Sequence, residues 1–168
     1  MNAAHLHLLI NHLPLFAVLL GLLVGVYGAW RREETVVRVA LMLFVLAALG
    51  AAATYFTGEA AEELVETLGR SEAALEAHEE RGSLAAYLTI ALGVLSLGTL
   101  LRRGSVAPAW RTALFVLAVV TLGFVGYAAN LGGRISHPEV TGTVLQESAR
   151  SSPTVPGRGE EAAEEYEE

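Results

Sequence analysis

The chain has 168 residues, 53% of them hydrophobic and 17% charged, with no cysteine and a formal charge of −7. Its charged residues are all Arg or Glu, with neither Lys nor Asp. Disulfide frameworks, c-type haem attachment, thiolate metal sites, Schiff-base chemistry, aspartate catalysis and a lysine phosphate-binding loop are thereby excluded.

The length suits one domain, and the distribution of charge says which kind. Four uncharged runs follow one another: Leu13 to Trp30, Val39 to Phe56, Leu84 to Leu101 and Thr112 to Leu131. As helices each is about 27–30 Å long, the thickness of the hydrocarbon core of a bilayer. A buried helix of a soluble protein rarely stays apolar on every face for that distance. The first run lacks a basic leader and a small-residue cleavage site, so it reads as a retained span. The pattern predicts an all-α fold: an integral membrane four-helix bundle running up and down.

The links between the runs predict its orientation. Spans one and two are joined through Arg31, Arg32 and Arg38, and spans three and four through Arg102, Arg103 and Arg111. Trp30 and Trp110 flank these links as interfacial anchors. Short basic loops stay in the cytoplasm, which places both termini and the Glu-rich link outside it. That link, Thr57 to Ser83, carries good helix formers, with Gly69 as a C-cap and Ser71 as an N-cap. It predicts a helical excursion beyond the membrane. Residues 1–140 therefore form the membrane domain. Residues 141–168, rich in Ser, Pro, Gly and Glu, form a disordered acidic tail.

Small residues punctuate two spans, Gly21-x-x-x-Gly25-x-x-Gly28 and Gly123-x-x-Gly126, and predict close helix approach. Only Thr89, Ser96 and Thr121 bring polarity to the depth of the spans. No ionisable group is there to serve a pump or a voltage sensor.

All five histidines, His5, His7, His12, His78 and His137, fall on the non-cytoplasmic side. His5 and His12 share a helical face with Leu8, Leu9, Phe16 and Leu19, while His7 and Asn11 lie roughly opposite. Pro14 frees a backbone carbonyl one turn before it. His78 shares a stripe with Leu75, Gly82, Ala85 and Thr89 and points toward the bundle. His137 follows the exit of span four. In an up-down bundle His12, His78 and His137 converge at one end with Glu62, Glu66 and Glu79.

The segments Asn11-His12-Leu13-Pro14, Thr57-Gly58 with the Glu run after it, His78-Glu79 and Gly132-Gly133 to His137-Pro138 resemble a bacterial family of four-span membrane proteins of unknown function. The resemblance covers roughly residues 5 to 140. It implies a place in the bacterial cytoplasmic (inner) membrane, amid membrane lipids, with cytochrome c or respiratory-complex subunits as partners and an electron-transfer context.

Two chemical readings follow. Two of His12, His78 and His137 are axial ligands of a b-type haem, with Gly82, Ala85 and Phe16 shaping an apolar slot. Alternatively the three His and one of Glu62, Glu66 or Glu79 bind zinc, iron or copper. A third reading is a non-catalytic accessory subunit of a respiratory complex, whose polar cluster is a hydrogen-bonded cap. The Glu-x-x-His pairs of di-iron bundles and a nucleophile–base arrangement are missing from the sequence. An acidic chain with short basic loops is not built for nucleic acid.

Overall fold

A computed structural model of the chain describes residues 3–66, 72–102 and 104–136, except for the side chains of 3–4, 59–60, 62–66 and 136. The expected tail and His137 lie outside the described residues. Five helices follow in order: α1 (Ala3–Ile10), α2 (His12–Arg31), α3 (Glu34–Glu66), α4 (Glu72–Leu101) and α5 (Pro108–Ser136). The predicted all-helical class holds. Four helical stretches, His5–Arg31, Glu34–Gly58, Glu72–Leu101 and Pro108–Ile135, are long and apolar enough to cross a membrane.

At 33 residues, α3 is about 50 Å long and exceeds a bilayer core of about 30 Å. Its last turns, with the first turns of α4, form the predicted helical excursion. Gly69 and Ser71, the expected caps, lie outside the described residues.

Large apolar side chains stand on the outer surface as well as in the interior, unlike in a soluble bundle. Leu23, Val26, Met42, Leu49, Val94 and Val119 are exposed. The interior is built from Ala17, Val18, Leu22, Leu41, Phe44, Ala47, Leu92, Leu114 and Ala118. Lipid is as apolar as leucine, so helices in a bilayer gain by close packing rather than by hiding large apolar groups. Helix α3 packs against α1, α2 and α4. A Cβ on Gly21 would come within 2.5 Å of the Phe44 ring, and one on Gly25 within 2.6 Å of Phe115 from α5. The first predicted small-residue motif therefore does bring helices together. The second does not: a Cβ on Gly123 or Gly126 would meet nothing within 4 Å. Gly123 lies two residues, or about 200°, from the inward-facing Thr121, and so looks away from the interior.

The end carrying Trp30 and Trp110 is tied by side chains onto exposed backbone. Arg32 takes the left-handed conformation (φ 57°, ψ 33°) as α2 ends, its N–H donating to the Ala29 carbonyl at 3.2 Å and the Glu33 N–H to the Gly28 carbonyl at 2.9 Å. Arg38 donates to the Leu100 carbonyl at 2.7 Å, capping an orphan acceptor in the last turn of α4. Glu34 accepts from the Val106 N–H at 3.0 Å, fixing the α4–α5 connection to the start of α3. Trp110 donates its indole N–H to Thr99 at 2.8 Å, joining α5 to α4.

Candidate functional site

The opposite end of the bundle carries two inward-facing imidazoles, His7 on α1 and His78 on α4. Each position follows from helical periodicity. His7, Asn11, Pro14, Val18, Gly21, Gly25 and Gly28 recur every three or four residues on one face, and the last five are buried. His78 heads a matching face of α4, continued by Ala85, Thr89, Leu92, Ser96 and Thr99, all buried.

His7 Nδ1 lies 3.1 Å from the Thr54 carbonyl and 3.3 Å from the Thr57 hydroxyl, both on α3. His78 Nδ1 lies 3.1 Å from the Ala128 carbonyl on α5. A carbonyl oxygen only accepts, so in each neutral ring Nδ1 carries the hydrogen and Nε2 keeps its lone pair. This is how a backbone carbonyl orients a ligating histidine from behind.

Glycines shape the space around both rings. A Cβ on Gly132 would stand 2.9 Å from His78 Cε1, and one on Gly58 would stand 3.3 Å from His7 Cε1. At Gly82, one turn from His78 on the same face, a Cβ would meet nothing within 4 Å. Asn11, one turn from His7, has a buried side-chain oxygen without a hydrogen-bond partner.

Helix α1 is separated from α2 at Asn11, although the backbone there stays helical (φ −61°, ψ −22°) and its N–H still reaches the His7 carbonyl at 2.9 Å. The separation comes from Pro14, which has no N–H to offer the Ile10 carbonyl. The predicted free carbonyl is met by the Thr54 hydroxyl at 3.5 Å, the limit of a hydrogen bond.

Of the residues the sequence singled out, His78 lies where it was expected. His12 is exposed, on the same outward side as His5 and Phe16, which is itself 54% exposed and so lines no interior slot. Glu79 is exposed beside His78. The side chains of Glu62 and Glu66 lie outside the described ones, as does His137. Among the described residues, no three or more His or carboxylate side chains gather as a metal-binding group. His7, placed by the sequence opposite His12, is the second inward imidazole. The signal that finds it is the glycine spacing of α2: extended upstream from Gly28, Gly25 and Gly21, it passes Pro14 and Asn11 and arrives at His7.

No protein-family model, characterised protein or solved structure matches the chain.

Proposed function

We propose that this protein is a multi-pass component of a bacterial cytoplasmic membrane that carries electrons on a b-type haem held by His7 and His78. The observation that carries the proposal is the shared anchoring of the rings: both Nδ1 atoms are engaged by main-chain carbonyls, which leaves both Nε2 lone pairs for a ligand. Gly82, one turn from His78, places no side chain beside the ring. His7 stands in for His12, the ligand expected from the sequence, which is exposed. The Arg-lined links favour a cytoplasmic location for the Trp end. The His pair and both termini are then on the non-cytoplasmic side, where cytochrome c or other respiratory subunits would meet it.

When bound, the haem supplies the one-electron chemistry. The chain fixes the orientation of the two imidazoles, keeps them in the ligating tautomer and surrounds them with small residues. The test is an absorption spectrum and elemental analysis of detergent-purified protein expressed with added haem. A Soret band lost in His78→Ala and shifted in His7→Ala is the expected result, and its absence from the wild type would falsify the assignment. Zinc, iron or copper bound without a Soret band would transfer the two imidazoles to a mononuclear metal site.

A second reading has an observation of its own. His7 ties α1 to α3, and His78 ties α4 to α5. Those bonds also suit a structural cap in an accessory subunit of a respiratory complex. Co-purification with respiratory subunits, with no cofactor of its own, would favour that role.

A further inference from the structure

We infer that His7 is a releasable ligand, so that the site takes a small neutral closed-shell diatomic molecule, such as carbon monoxide, in the position His7 vacates. The inference rests on the haem reading above and adds ligand exchange to electron transfer.

The two imidazoles are held unequally. His78 lies within a continuous 30-residue helix, and its ring faces bare backbone at Gly132, where an added Cβ would come within 2.9 Å of Cε1. His7 lies on the eight-residue α1. One turn further along, the ladder of backbone hydrogen bonds loses the bond that Pro14 cannot make. The substitute, Thr54 Oγ1 to the Ile10 carbonyl, is stretched to 3.5 Å. A Cβ added at Gly58 would stand 3.3 Å from His7 Cε1, farther than the 2.9 Å from Gly132 to His78, so the backbone approaches the His7 ring less closely.

Asn11, at the junction of the two helices, keeps a buried oxygen without a partner while α1 is seated. Burial of an unpaired acceptor disfavours the seated arrangement and narrows its advantage over a tilted one. Tilting α1 about the Ile10–Pro14 gap withdraws the His7 Nε2 atom. Helices α2, α3 and α4 keep their interior packing around Phe44 and Leu92, because none of the described side chains of α1 belongs to that core. Kinks at proline are the usual place for such a hinge. The exchange replaces one neutral two-electron donor by another: the Nε2 bond breaks, its lone pair stays on the ring, and the incoming ligand's lone pair forms the new bond. No electron or proton is transferred.

The test uses full-length, haem-loaded protein reduced with dithionite and exposed to carbon monoxide. The wild-type Soret band should shift. Pro14→Ala, which restores an N–H for the Ile10 carbonyl, should slow the shift at least threefold. His7→Ala should retain haem and react faster than the wild type, while His78→Ala should lose haem. Hydrogen exchange on the same samples should show the α1 amides slowed by Pro14→Ala. A Soret band in the wild type that carbon monoxide leaves unmoved would overturn the inference and leave the haem reading standing. So would equal rates in wild type and Pro14→Ala, or complete haem loss in His7→Ala. A wild-type preparation without a Soret band would overturn both.

Discussion

The Cε1 atom of His78 stands 2.9 Å from the position that a Cβ on Gly132 would occupy, so α5 meets the imidazole with bare backbone. Gly132→Ala must push the ring aside or move α5, at a cost of about 1–3 kcal/mol. Gly133→Ala meets nothing within 4 Å and is the matched control. Thermal unfolding in detergent should show a lowered Tm for Gly132→Ala and little change for Gly133→Ala. Equal values would contradict the described approach of α5 to His78.

His7 and His12 differ by five residues and face opposite sides. His7→Ala removes the bond to the Thr54 carbonyl and should cost about 1 kcal/mol. His12→Ala changes an exposed side chain and should leave stability within about 0.5 kcal/mol of wild type. The reverse order in the same unfolding assay would place the helix a half-turn away from the orientation given above.

At the Trp end, Trp110 and Thr99 are coupled through a bond of 2.8 Å, and Thr99 passes its own hydrogen to the Leu95 carbonyl at 2.7 Å. A double-mutant cycle of Trp110→Phe and Thr99→Val should return a coupling of about 1 kcal/mol. A coupling near zero would mean that α5 is held to α4 by shape alone.

The two glycine motifs should respond with opposite signs. Gly21→Ala drives a methyl group into the Phe44 ring and should destabilise by about 1–3 kcal/mol. Gly123→Ala has open space and gains helix propensity, worth up to about 1 kcal/mol. Measured Tm values should therefore fall for Gly21→Ala and hold or rise for Gly123→Ala.

The number of spans, the helical excursion and the inward direction of His78 were legible in the sequence. Uncharged run length and helical period decide all three. The choice between His7 and His12 failed for a physical reason. The stripe of Leu8, Leu9, His12 and Phe16 is the more apolar one, and in water it would be the buried face. In a bilayer the large apolar stripe is free to meet lipid. The small and polar residues, here His7, Asn11, Pro14 and the three glycines, then turn inward. The same reversal explains Gly123-x-x-Gly126: small-residue spacing shows that two helices would fit closely, and nothing in the spacing says that a partner helix stands there. The Arg38 and Glu34 clamps were beyond reach, because each joins positions more than 60 residues apart.

One property of the His pair reaches past the site itself. Each ring spends one nitrogen on a neighbouring helix and offers the other. A guest gripped by both rings would join α1 to α4 directly and α3 to α5 through their carbonyls, closing a circuit around the bundle. Its affinity would then enter the free energy of unfolding by thermodynamic linkage. Melting temperature measured against guest concentration would read that affinity even for a colourless ligand.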